Sequence, residues 1–141
     1  MWKNIRRYII PGIIFIALVV FFFVKFYVFK ESATTVASQK ADFVVEAGDL
    51  LSTFEKDEKV ANDKYLNKIV EVKGLVDNVT DTKDDITVYI KQKGKTSGIM
   101  CSFDKKEFKR KGAKSGDEVS VKGICSGYLM DVILNKCAVV R

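Results

Sequence analysis

Residues Lys68–Val76 have the sequence KIVEVKGLV, in which apolar and polar side chains alternate along most of the stretch. A period of two is typical of a β-strand that has one face buried and the other in solvent. The segment Glu71–Leu75, EVKGL, recurs as Ser120–Ile124, SVKGI, with a glycine at the same place. Glycine inside a strand usually marks a bulge or bend, and two strands bent at matching positions suit a small five-stranded barrel. The alternative is a chance similarity between two valine-rich strands.

The same kind of pattern predicts the other elements of this domain. They are a broken helix or two short helices within Asp42–Asn67, strands around Ile86–Ile90, Ile99–Phe103 and Val119–Val121, a short helix within Asp104–Lys114, and a last strand over Asp131–Arg141. Leu50, Leu51 and Phe54 recur at helical spacing, so the N-terminal helical part is expected to cover an end of the barrel. The predicted fold class is mainly β, with a helical extension over residues 43–67 and a five-stranded barrel over residues 68–141.

An apolar segment precedes this domain. Tyr8–Val28 contains 21 residues, and a helix of that length rises about 30 Å, the thickness of the hydrocarbon core of a bilayer. We therefore predict a short basic N-terminus over residues 1–7, a single transmembrane helix over residues 8–28 and a linker over residues 29–42. A cleaved signal peptide and a helix buried in a soluble core are the alternatives.

Basic residues flank the apolar segment on both sides. Lys3, Arg6 and Arg7 precede it, whereas Lys25 and Lys30 lie at or beyond its other end. Counting lysine and arginine in the short flanks gives a slight preference for an N-terminus in the cytoplasm. We therefore expect a single-pass membrane protein whose C-terminal domain lies outside the cytoplasm.

The distribution of charge and the absence of histidine limit the functions that the chain can have. The formal net charge is +6, but residues 1–30 hold five basic side chains and no acid, and the remainder carries 19 basic and 18 acidic residues. The domain is therefore nearly neutral, which argues against a strong general attraction for nucleic acid. Without histidine there is no imidazole base, no Cys–His or Ser–His pair and no mixed Cys/His zinc site. We expect no enzyme activity, no metal site and no cofactor.

The order helix, three strands, short helix and two strands is that of an OB-fold barrel. Residues from about 45 to 140 also resemble the tRNA_anti-like family of bacterial OB-fold proteins. The residues that carry this resemblance are Ala47, Asp49, Leu50, Phe54, Ala61, Asn62, Lys64, Tyr65, Lys68, Val72, Gly74, Val76, Cys101, Phe103, Gly116, Asp117, Val119, Val121, Lys122, Gly123, Gly127, Asp131, Val132, Leu134 and Cys137. The resemblance implies an OB-fold in a bacterial envelope protein, and it supplies no catalytic residues. Together with the apolar segment, it leads us to expect a protein of the bacterial inner (cytoplasmic) membrane.

One candidate ligand face follows from the predicted fold. An OB-fold that binds oligonucleotides usually presents aromatic and basic side chains on its second and third strands. Tyr89, Lys91, Lys93 and Lys95 are expected on or beside this face. Acidic residues in the preceding loop would repel phosphate: Asp77, Asp81, Asp84 and Asp85.

A second candidate lies between the fourth and fifth strands, where Tyr128, Leu129 and Met130 form an apolar run at a predicted loop tip. Apolar loop tips are common protein contacts, and inward packing against the N-terminal helix is the alternative. We therefore predict a membrane-anchored, non-catalytic binding or adaptor module with a protein partner in the envelope. Oligonucleotide binding is the alternative function, and it is not favoured because a domain outside the cytoplasm would not meet the usual nucleic acids.

Three cysteines leave several redox states open. An oxidising compartment would favour a disulfide, and Cys125 with Cys137 is the predicted pair on consecutive strands. Cys101 with Cys137 is the alternative pair, because the third and fifth strands approach each other where an OB barrel closes. Three buried thiols are the remaining interpretation.

Overall fold

The computed structural model describes residues 12–23 and 33–140 and divides the chain into two units, Met1–Ser32 and Ala33–Arg141. In the first unit, residues 12–23 form a helix, α1, whose large apolar side chains are at least half exposed. No helix within the described residues is both long and apolar enough to cross a membrane. The ends of the predicted transmembrane helix, residues 8–11 and 24–28, lie outside the described residues, as do the basic N-terminus and the start of the linker.

The second unit begins with a helix inside the predicted linker. Residues Ala33–Ser38 form α2, which packs against the last two strands and buries Val36. Lys122 also donates a hydrogen bond from its Nζ atom to the Gln39 carbonyl, over 2.9 Å. The sequence prediction missed α2 because Val36 is the only large apolar side chain of this helix and one residue produces no periodicity.

Apart from a short first strand, the remaining elements occur in the predicted order. They are β1 (Phe43–Glu46), α3 (Ala47–Lys56), α4 (Glu58–Tyr65), β2 (Ile69–Asp81), β3 (Asp85–Lys91), β4 (Gly98–Asp104), α5 (Lys105–Lys111), β5 (Glu118–Leu129) and β6 (Asp131–Val139). The two short helices of the extension, the three strands, the connecting helix and the last two strands are therefore confirmed.

The strands close into a barrel. Their order is β1-β2-β3-β4-β6-β5, and the additional pairing of β2 with β5 joins β2 through β6 into a ring of five. β1 adds to β2 as a short parallel strand outside the ring. The seam between β4 and β6 is parallel and pairs only Ile99–Cys101 with Val132–Leu134. This is the five-stranded, mainly β barrel that the sequence predicted.

Helices cover the barrel because their apolar faces complete its core. α3 buries Leu50, Leu51 and Phe54, all at most 1 % exposed, against the barrel interior. The Asp57 side chain accepts a hydrogen bond from the Val60 amide and caps the start of α4. Asp104 caps α5 in the same way, through the amides of residues 106 and 107.

The two glycines of the sequence repeat are sites of close approach. A Cβ atom at Gly74 would lie 2.6 Å from Cγ2 of Ile90, and one at Gly123 would lie 2.6 Å from Sγ of Cys137. The register of the β2–β3 pairing shifts between residues 76 and 78, just after Gly74. The register of the β5–β6 pairing shifts between residues 122 and 124, at Gly123. The repeat therefore marks bends, as predicted, and the missing Cβ atoms let neighbouring side chains enter the core.

Replacing Gly123 by alanine is expected to destabilise the domain by about 1–3 kcal/mol, the usual cost of overpacking a tight core. The added methyl group would meet Sγ of Cys137 and, 3.1 Å away, Cβ of Leu134. Urea unfolding would measure the loss. A double variant, Gly123→Ala with Cys137→Ala, should lose less than the sum of the two single variants because one clash is removed; strictly additive losses would contradict this explanation.

Candidate functional site

The turn between β5 and β6 presents two apolar side chains to solvent. Leu129 is 78 % exposed and Met130 is 82 % exposed, and we call this pair the hairpin tip. The preceding residue, Tyr128, is half-buried, and its ring stacks on that of Phe54 with the centroids 5.7 Å apart. The apolar run therefore divides: Tyr128 packs against α3, and the hairpin tip projects outward.

Contacts on both sides hold the base of the hairpin tip in place. Oδ1 of Asp131 accepts hydrogen bonds from the Tyr89 hydroxyl and the Gly98 amide, each over 2.7 Å. A Cβ atom placed at Gly127 would lie 3.9 Å from Cδ1 of Leu66, which is itself 39 % exposed. On the other strand of the hairpin, Tyr128 is held by its stacking on Phe54. Both strands at the base of the hairpin tip are therefore fixed to the body of the domain.

The composition of the hairpin tip does not favour stability. Met130 has a φ of 68°, a left-handed conformation that costs an ordinary side chain about 1–2 kcal/mol and that turns usually assign to glycine or asparagine. Leaving a leucine and a methionine in water also forgoes roughly 1.5–3 kcal/mol of burial for each. Strain together with exposed apolar area at one turn is typical of a contact site.

Tyr89 is not a free stacking surface. Its hydroxyl donates to Asp131, and its ring lies so close to Gly98 that a Cβ atom there would come within 2.5 Å of Cζ. Burial, followed by the hydrogen bond to Asp131 and that carboxylate's charge, raises the pKa of Tyr89 to about 12. The predicted nucleic-acid contact is therefore part of the support beneath the hairpin tip.

Replacing Asp131 by asparagine is expected to lower the pKa of Tyr89 from about 12 toward the ordinary value near 10, because the negative charge is removed while burial remains. A tyrosine with a raised pKa stabilises the fold fully below pH about 10 and loses that contribution as the pH rises through 12. A pH titration of the phenolate absorbance, with Tyr89→Phe as reference, would measure the shift. An unchanged titration would show that Asp131 does not control this hydroxyl.

The other aromatic rings of the domain are occupied as well. Within residues 33–140, every aromatic side chain is buried or half-buried: Phe43, Phe54, Tyr65, Tyr89, Phe103, Phe108 and Tyr128. Phe43 meets the ring of Tyr65 edge to face, with the centroids 5.1 Å apart. The described part of the domain thus offers no exposed ring on which a base could stack.

The predicted basic residues fall into two groups. Lys95 forms an ion pair with Glu55 of α3, and the hydrogen bonds from Lys95 and then Ser97 hold the pKa of Glu55 below its ordinary value. Lys91 and Lys93 are exposed and form no ion pair with a described residue. The three lysines therefore do not form one basic surface, since Lys95 fastens the β3–β4 turn to α3.

All three cysteines are buried free thiols, so neither Cys125 with Cys137 nor Cys101 with Cys137 is joined in the structure. Sγ of Cys137 donates to the Leu134 carbonyl over 3.3 Å, next to the short β4–β6 seam. Burial raises the pKa of the Cys125 and Cys137 thiols, which disfavours the reactive thiolate.

Sequence reasoning missed the two acids that organise this region, Asp131 and Glu55. Their partners lie about forty positions away, so no local pattern connects them. The one available signal was Asp131 itself, an acid at the start of a mostly apolar strand. Among the described residues, no group of three or more acids or cysteines is placed to hold a metal ion.

Comparisons with known proteins identify relatives of this barrel. The sequence profile of the tRNA_anti-like family matches residues 1–139, and no curated protein matches the chain. A crystal structure of a lipoprotein from Klebsiella pneumoniae subsp. pneumoniae, for which nucleic acid binding has been suggested, aligns with a TM-score of 0.57. The alignment has 16 % sequence identity and covers 77 % of this chain and 97 % of that one. A likeness at this identity establishes a shared fold.

Proposed function

Since the chain belongs to the tRNA_anti-like family, we propose that it is a membrane-anchored, non-catalytic binding module whose OB-fold domain engages a protein partner. The observation that carries this proposal is the hairpin tip, where Leu129 and Met130 are the two most exposed large apolar residues of the described domain. Protein contacts commonly consist of a few apolar anchors held in a fixed geometry. The bonds of Asp131 and the stacking of Tyr128 supply that geometry here.

The proposed anchor is the predicted span over residues 8–28. Its support is the apolar sequence, together with helix α1, in which residues such as Phe15 and Phe22 are 69 % and 65 % exposed. Burial in lipid would remove this apolar area from water. The domain is proposed to lie outside the cytoplasm, in the bacterial envelope. A periplasm-specific reporter fused after Arg141 should be active. An inactive reporter would contradict this orientation and place the domain in the cytoplasm.

Lack of catalysis is proposed from the chemistry of the candidate nucleophiles. The sequence has no histidine to act as a base, and the Cys125 and Cys137 thiols are buried with raised pKa values. Tyr89 is similarly disfavoured as an anion at neutral pH. These properties support a role in binding.

Nucleic acid binding is the competing function, and the suggestion made for the Klebsiella pneumoniae lipoprotein is its main support. Against it, base stacking contributes roughly 1–3 kcal/mol per base in OB-folds, and the domain's rings are engaged elsewhere. The experiment that separates the two is fluorescence anisotropy with single-stranded DNA and RNA at low salt, on the full chain in detergent. We expect no saturable binding; binding that weakens steeply as salt rises would favour the nucleic-acid function over the protein-binding one.

A further inference from the structure

A groove of about 320 Å³ lies on the barrel surface, away from the hairpin tip in sequence. It forms where the bend of β2 meets the turn after β3 and the turn before β5. Its lining residues include Leu75, Asp77, Lys91 and Lys93. The proposed function does not use this groove.

Hydrogen bonds fix one wall of the groove to β2. The Val76 amide donates to the Asp117 carbonyl over 2.9 Å, and the Gly116 amide donates to the Val76 carbonyl over 2.8 Å. The Ser115 hydroxyl donates to the carbonyl of Asp77 over 2.7 Å. The turn before β5 is therefore held against the bend of β2.

The opposite wall is fixed to helix α3. The Gln92 side chain lies so close to Gly48 that a Cβ atom there would come within 2.4 Å of its Oε1 atom. Further along the same turn, Lys95 and Ser97 both donate to the carboxylate of Glu55. Because these contacts hold both walls, the groove is formed before any ligand arrives, which lowers the entropy cost of binding.

The charge of the groove is mainly positive. Lys91 and Lys93 are exposed and have no ion-pair partner among the described residues, whereas Lys95 and Lys105 are paired with Glu55 and Asp81. Asp77 is the only acid among the described residues that line the groove. Two lysines against one aspartate leave the described lining with a net charge of +1, which would favour carboxylates in a bound ligand.

The rest of the lining indicates which kind of acidic ligand fits. Leu75 is 44 % exposed and offers an apolar contact. None of the described residues that line the groove is aromatic, so this lining offers no ring on which a nucleic-acid base could stack. An extended peptide with carboxylates beside an apolar side chain matches both the charge and the apolar contact.

We infer that this groove binds an acidic peptide segment, with carboxylates on Lys91 and Lys93 and an apolar side chain on Leu75. The inference rests on the proposed role in protein binding and specifies the chemistry of the partner: an acidic, partly apolar segment in addition to the surface that receives the hairpin tip.

The test uses the full chain in detergent and two labelled peptides, EDLEDLE and its uncharged counterpart QNLQNLQ. Fluorescence anisotropy at low ionic strength should detect saturable binding of the acidic peptide and none of the uncharged one. The double variant Lys91→Glu with Lys93→Glu should weaken binding at least tenfold, because each attraction becomes a repulsion. A matched control, Lys106→Glu with Lys109→Glu on α5, makes the same change in net charge and should weaken it less than twofold.

One further variant and a comparison of the losses in affinity decide the outcome. Leu75→Gln should also weaken the acidic peptide, since the apolar contact is lost at constant charge. Equal losses in the groove variant and the α5 control would overturn the inference, because binding would then follow net charge alone; tighter binding of single-stranded DNA in the same groove would overturn it as well. If the groove variant has no effect while substitution of the hairpin tip still releases a partner, the groove inference fails and the proposed function stands.

Discussion

Replacing Leu129 and Met130 together by aspartate is expected to release the protein partner while the domain stays folded. Both side chains are more than three-quarters exposed, so Leu129→Asp should change the free energy of unfolding by no more than about 0.5 kcal/mol. Met130→Asp should not destabilise the domain either, because aspartate adopts the left-handed conformation of residue 130 more readily than methionine does. In the complex, however, both would place a charge where the partner supplies an apolar surface. We expect partner affinity to fall at least about thirtyfold, equivalent to about 2 kcal/mol, as for an anchor residue of an interface.

Quantitative co-purification of the tagged full chain from membranes, followed by urea unfolding of the purified variants, would measure both effects. A matched control replaces two exposed apolar residues elsewhere, Val44 and Val60, by aspartate. The control should retain the partner proteins that the hairpin-tip variant loses. If the hairpin-tip variant and the unchanged protein retain the partner proteins equally, the hairpin tip is not part of the binding surface.

Replacing Phe54 by alanine should have the largest effect on stability. Phe54 is 1 % exposed and packs against Tyr65 and Tyr128, with ring centroids 6.1 Å and 5.7 Å away. Losing a buried phenylalanine usually costs about 3–5 kcal/mol, a large fraction of the total stability of a small domain. Because the ring of Tyr128 would lose its support, amide hydrogen exchange in the β5–β6 turn should also accelerate more than in the rest of the barrel.

Urea unfolding and residue-resolved hydrogen exchange would measure the two parts of this prediction separately. Leu129→Ala is the control, because it truncates an apolar side chain that is exposed to solvent and not buried in the core. We expect it to change the free energy of unfolding by less than about 0.5 kcal/mol. A loss of stability in Phe54→Ala without faster exchange near Tyr128 would contradict the claim that α3 supports the hairpin tip.

The barrel could be predicted because its signals are local. Alternation in KIVEVKGLV gave β2, and the repeated glycine gave the bends at Gly74 and Gly123. Helix α2 could not be predicted, because Val36 is the only large apolar residue in its sequence, ATTVAS, and one residue produces no periodicity. The pairing of β1 with β2 depends on a register between distant segments and had no sequence signal beyond a few apolar residues.

The candidate site was predicted only in part, for a related reason. Which of Tyr128, Leu129 and Met130 would be exposed depends on α3, whose position the sequence does not define. Tyr89 and Lys95 looked like ligand contacts because their partners, Asp131 and Glu55, approach only in the folded chain. A sequence shows which side chains are charged or aromatic, whereas the contacts that engage those side chains form only in the folded chain.

The most direct test of the protein-binding role is photo-crosslinking at single positions of the membrane-embedded full chain. A photoreactive amino acid is placed at residue 129, and at residue 106 on the exposed face of α5 as the reference. We predict a light-dependent adduct of defined mass from position 129 that resists nuclease, is absent from position 106, and disappears when Met130 is also replaced by aspartate. A nuclease-sensitive adduct, or identical patterns from both positions, would contradict a protein-binding role for this domain.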